Sequence, residues 1–183
     1  HITQSSFRKL TTTLQEAEKQ VYTAPSFASV LCRKSLEEWI RWLFENDPDL
    51  EEPYDTTLNA LIHDQGLKDL LTPSLFQQVN LVRKLGNDAV HSTKRIPPDE
   101  ALHALHIMHG FTGWVIRVYS ETKPHIPPFN PDLVPKEGPA APFKKRIQEL
   151  EEEFRKSQDL NRTLQAELEK TRIVKEKQGA VPP

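Results

Sequence analysis

Arg83, Asn87 and His91 come closest, in residue type and spacing, to a chemical constellation in this chain. On a helix that runs through Gly86 they stand one above another, because eight residues turn only about 80° beyond two full turns. Such a row can line a cleft where arginine binds phosphate and histidine moves a proton. It can equally anchor neighbouring backbone groups, since a buried polar group has to be paired. Gly86 suits both readings: it is about 1 kcal/mol worse than alanine inside a helix, and it lets another backbone come close. A third local reading ends the helix at Gly86–Asn87, with Asn87 or Asp88 capping the next turn of chain. The structural role is favoured, with the row stitched into the core.

His103, His106 and His109 recur every three residues. Steps of three drift by about 60° each on a helix, so the three cannot converge on one ion without help. No Asp or Glu stands beside them, so polar-face or hydrogen-bonded histidines are expected, with no metal and no cofactor. Trp39, Trp42 and Trp114 could stack on a base, but beside Ile40 and Leu43 they read as core or partner-facing. Lys84 and the cluster Lys144-Lys145-Arg146 offer weak, salt-sensitive contact to a phosphate backbone. The chain has no Gly-rich phosphate loop ending in Lys-Ser/Thr, which excludes P-loop binding of ATP by this segment. Glu121-Thr122-Lys123 matches part of a restriction-nuclease motif by letters alone, at a helix end without a strand. No Ser–His–Asp or Cys–His arrangement can be argued from spacing.

The elements that must position these residues are helical. Phe7, Leu10, Leu14, Ala17 and Val21 form one amphipathic stripe. Pro25 opens a second helix carrying Val30, Leu31, Leu36, Trp39, Ile40 and Leu43, which stops near Asn46–Pro48. An acidic loop runs to Tyr54. Leu58, Leu61 and Ile62 make a short third helix, capped by Asp55 or Thr56 and ended by Gly66. Pro73 opens a fourth with Leu75, Phe76, Val79, Val82 and Leu85. Pro97-Pro98-Asp99 starts a fifth that runs to about Tyr119; it is apolar on most sides and therefore expected at the centre of the bundle. Strand signals are poor. The predicted fold class is all-α: a bundle of about five helices over 1–122, large enough for one core.

Seven of the 15 prolines fall between 124 and 142, so 123–142 reads as an extended Pro-rich linker. Residues 1–142 carry 14 Lys/Arg against 18 Asp/Glu, and 143–183 carry 10 against 8. Over 143–178 a seam through Phe143, Ile147, Leu150, Phe154, Ser157, Asn161, Leu164, Leu168 and Thr171 follows alternating steps of four and three, weakened at Ser157 and Thr171. It predicts a coiled-coil helix, with Asn161 able to fix register. A solvated single helix held by charge pairs is the other reading of that stretch. Residues 179–183 are expected to form a disordered tail. The 183-residue chain is 37% hydrophobic with net charge −2 and a single cysteine, Cys32. This excludes an internal disulfide and a Cys-based metal cage, and suits a reducing cytoplasm. No apolar run is long enough to span a membrane. A chain beginning at His1 is expected to be a fragment or processed form.

The pairing of Arg33-Lys34-Ser35-Leu36-Glu37 with the later Arg83-Lys84-Leu85-Gly86-Asn87-Asp88-Ala89-Val90-His91 resembles the HEPN-like N-terminal helical domain of type I restriction enzyme R subunits (HsdR) and related DEAD/DEAH-type helicases. The resemblance covers about residues 5–122. It makes Arg33, Glu37, Arg83, Gly86, Asn87 and His91 the expected structural motif. It implies a non-catalytic docking module, contacting DNA or partner subunits, at the front of an ATP-dependent restriction endonuclease or helicase with a role in antiviral defence. The wider class includes metal-independent endoribonucleases in which four to six residues separate an Arg from a His. In that alternative Arg83, Asn87 and His91 would be catalytic. Seven residues separate Arg83 from His91 here, and only Lys84 stands at six. A scaffold that homodimerises through the coiled coil, with no nucleic-acid role, is the third expectation.

Overall fold

The computed structural model describes residues 3–91 and 95–136. Six α-helices and one 3-10 turn make up that part, with no strand among the described residues. They are α1 (Gln4–Gln20), α2 (Pro25–Asn46), α3 (Leu58–His63), α4 (Gln65–Leu70), α5 (Pro73–His91) and α6 (Pro98–Tyr119), then the 3-10 turn Pro131–Leu133. The all-α class is therefore as expected. The predicted coiled-coil residues Ile147, Leu150, Phe154, Asn161, Leu164 and Leu168, and the basic Lys144, Lys145 and Arg146, lie outside the described residues.

Prolines open α2 and α6 in their first turns, where the missing N–H would have no helical partner in any case. One expected element is corrected. The third helix is two helices, and Gly66 lies inside the second of them instead of ending the first. Asp64 makes the break. Its carboxylate accepts the Leu67 N–H at 3.2 Å, which caps α4 and turns the chain out of α3. The cap of α3 is also corrected. Thr57 accepts the Ala60 N–H at 3.3 Å, while Asp55 accepts the Thr57 N–H at 2.9 Å one step earlier.

Helix α2 touches the most neighbours, meeting α1, α3, α5 and α6. It shares the centre with α6, which the sequence pattern placed there. Its wholly buried face runs through Cys32, Leu36, Trp39, Ile40 and Leu43 and meets Val79 and Val82 of α5 and Met108, Phe111 and Val115 of α6 in one cluster. Burial pushes the Cys32 thiol up to about 12, so it stays protonated and behaves as a small apolar side chain. No described helix is long and apolar enough to cross a membrane.

A ring ladder closes one end of the core. Trp42 meets Tyr119 edge-on at 5.5 Å, and Tyr119 meets Trp114 at 6.3 Å. The Tyr119 hydroxyl donates to the Asp47 carboxylate just after α2, tying the end of α6 to the end of α2. Burial, with the Asp47 carboxylate beside it, pushes the phenol above its ordinary value of 10. A raised phenol pKa stabilises the fold fully below that ordinary value, and the contribution is lost as pH rises through the folded value. Tyr119→Phe is expected to cost about 1–2 kcal/mol in urea unfolding at neutral pH, the range for a half-buried hydrogen bond to a charged group. The difference between the two proteins should shrink at strongly alkaline pH.

After α6 the chain reverses. Lys123 takes a left-handed backbone (φ 40°), and the segment from Pro124 returns along α6. Ile126 packs over Gly113, Phe129 sits against His106 and His109, and Val134 is 2% exposed. The first part of the expected linker is thus a strap on the bundle. The compact unit that holds the bundle therefore includes the described strap residues beyond 122.

Candidate functional site

Helix α5 does run through Gly86, as one reading of the sequence required. Its buried stripe is Val79, Val82 and Gly86. At Gly86 the helix meets Arg33 of α2 so closely that a Cβ there would lie 2.4 Å from the Arg33 Cβ and 2.8 Å from its Cδ. Glycine at this position is a packing requirement. The Arg33 stem crosses the seam, and its buried Nε has no hydrogen-bond partner.

Arg83, Asn87 and His91 begin one residue after that stripe, which turns them about 100° away from it. Arg83 and Asn87 are half-buried and His91 is exposed. Arg83 Nε donates to Asn80 on its own helix at 3.0 Å, so the bond is local. The expectation of a row stitched into the core is therefore corrected: it borders the seam. Glu37, the other member of the expected motif, pairs with Arg41 at 2.9 Å, and Arg41 also donates to the Thr56 carbonyl at 2.9 Å. Lys34 is 3.9 Å from Glu38 and largely exposed; Lys84 is exposed. The seam thus gathers Arg33, Arg83 and, further along α5, His91. None of them forms an ion pair among the described residues.

The three histidines of α6 part ways. His103 lines an apolar cavity of about 300 Å³ between α5 and α6, with Leu81, Val82, Leu85 and Ile107; Asp99 and Glu100 line it too, which corrects the expectation that no acid stands near these histidines. His106 stacks on Phe129 (4.8 Å, 12°), and His109 leans on the same ring at 5.6 Å. Burial, then the neighbouring His106, holds His109 below its ordinary value, while Glu18 on α1 pulls the other way. Among the described residues no group of three His, Cys, Asp or Glu could hold a metal ion. A second apolar cavity of about 350 Å³ lies under the strap, between Phe7, Leu14, Leu105 and Ile116. Trp39 and Trp42 are buried and Trp114 half-buried, so the tryptophans serve the core.

Sequence reasoning missed Phe129, which meets both His106 and His109. No local signal could have found it, since only the tertiary fold brings the strap to that face of α6.

The described part of the chain is therefore a helical bundle with a strapped face and a glycine-mediated seam. Residues 15–163 match the family described as Domain of unknown function (DUF4145), and the chain belongs to that family. The match continues past the strap. No curated protein and no solved structure matches the chain.

Proposed function

We propose that this domain is a non-catalytic docking module of a larger DNA-processing enzyme, of the type I restriction R-subunit or related helicase kind, and that it meets duplex DNA along the α2–α5 seam. One observation carries the reading: Arg33 and Arg83 flank the Gly86 crossing without an acidic partner among the described residues. Arginine suits phosphate contacts because its fork matches two oxygens at once. Helix α5 adds Lys84 and His91 against a single acid, Asp88, although the whole chain carries net charge −2. The row borders the helix crossing and lines neither of the two apolar cavities described above, a setting for docking more than for an enclosed reaction.

The test is a gel shift of the full chain on duplex DNA across a salt series. Removing two phosphate contacts with Arg33→Gln and Arg83→Gln should reduce the slope of log affinity against log salt by about 2. If the chain binds no DNA at low salt, or the double variant binds with an unchanged slope, the seam is not the contact. Metal-independent RNA cleavage that is lost in His91→Ala, with the melting temperature kept, would replace docking by a ribonuclease. His91 is exposed, so that variant should fold.

A further inference from the structure

The cavity of about 350 Å³ under the strap has a polar end and an apolar end. Helices α1 and α6 form its long walls. At one end Glu18 of α1 is near enough to His109 of α6 to act on its charge, and Phe129 of the strap meets His109 at 5.6 Å. At the other end Phe7 of α1 and Ile116 of α6 line it together. His109 and Ile116 are seven residues apart on one helix, so about 10 Å separates the two ends. Leu14, Gly113 and Ile126 form the walls between them.

Most polar groups of this cavity are already occupied. The Thr11 and Thr112 hydroxyls donate to backbone carbonyls of their own helices, at 3.0 and 2.9 Å. The Asn130 side chain accepts the Asp132 N–H at 3.0 Å. Gln15 is exposed. Glu18 and His109 are half-buried, and neither has a hydrogen-bond partner among the described residues. No Lys or Arg lines the cavity, so the Glu18 carboxylate faces it without a cation.

We propose that this cavity binds a small organic amine, with its protonated ammonium donating to Glu18 and its apolar body lying along Leu14 and Ile126 toward Phe7. The single contact to Glu18 suffices to anchor the head. Charge decides the class of ligand. An unpaired, half-buried carboxylate repels an anion, and it holds an ammonium more firmly than a hydroxyl because charge-assisted bonds are about twice as strong. Phe129 at the same end adds a ring whose face attracts a cation. The volume stands at the small end of the range for ligand pockets, and the 10 Å span admits a body about as long as a phenylpropyl group. The site is separate from the α2–α5 seam, and it stands whether or not that seam binds DNA.

The experiment follows the full chain by NMR as phenylpropylamine, phenylpropanol or phenylpropanoate is added at neutral pH and matched ionic strength. The three probes share one body and differ in the charge of the head. Saturable shifts are expected at the His109 imidazole and at the Ile116 and Ile126 methyls, from the two ends of one bound molecule. The amine should bind roughly tenfold more tightly than the alcohol, and the carboxylate most weakly. Glu18→Gln should bring the amine and the alcohol to equal affinity while the melting temperature is kept, since Glu18 has no partner to lose. Thr11→Trp should fill the middle of the cavity and abolish the binding of all three; the Thr11 hydroxyl bonds only its own helix, so its loss strands no partner. No saturable shift with the amine, equal affinity for the three probes, an amine preference that survives Glu18→Gln, or binding that survives in folded Thr11→Trp would each overturn the proposal.

Discussion

Trp39→Ala is expected to destabilise the domain by about 3–5 kcal/mol, the range for removing a large buried ring. The indole is wholly buried, with Phe7 edge-on at 6.3 Å and Trp42 at 6.5 Å. It lies on the face of α2 that meets both α1 and α6, so the void would open where several elements join. Its Nε1 is buried without an acceptor. The loss is therefore one of packing and not of a hydrogen bond. Trp39→Phe removes the unpaired N–H along with part of the volume, and should cost well under half as much. Urea unfolding of the two variants checks this. Equal losses would mean that the N–H has a partner after all.

Gly86→Ala pits two opposing effects against each other. Alanine is about 1 kcal/mol better than glycine in a helix interior. Against this, the new methyl would lie 2.4 Å from the Arg33 Cβ. That atom is fixed to the α2 backbone, so no rotamer change relieves the clash. The helices must part by about an ångström, and overpacking of this kind costs about 1–3 kcal/mol beyond any local gain. Net destabilisation is expected, together with disturbed resonances along the seam. Because Arg33→Ala keeps the Cβ, only Arg33→Gly should relieve the clash, and the double variant should be more stable than the sum of the single changes predicts. A neutral or stabilising Gly86→Ala would show that the helices do not approach this closely.

The helical class and the starts of the long helices were legible because their signals are local. Pro25, Pro73 and Pro98 sit where a helix begins, and the apolar residues after them keep helical spacing. The split at Asp64 was not legible. An Asp between two short apolar runs competes with a neighbouring glycine for the role of helix stop, and only the accepted Leu67 N–H decides between them. The Gly86 approach could be read from residue type alone, but not its partner, because nothing local says which side chain will cross. The burial of Arg83, Asn87 and His91 was misjudged by one residue. The buried stripe is 79, 82 and 86, and the polar row beside it is rotated off the core. The strap failed for a different reason: proline density describes how stiff a segment is, and says nothing about what it rests on.

That stiffness changes what docking of the strap requires. A chain whose φ angles are already restricted at Pro124, Pro127, Pro128 and Pro131 gives up less conformational entropy on settling than a glycine- or serine-rich segment would. Few side chains then suffice to hold it, which fits the sparse anchoring by Ile126, Phe129 and Val134. The same prolines that forbid a helix here make this stretch a preformed ribbon.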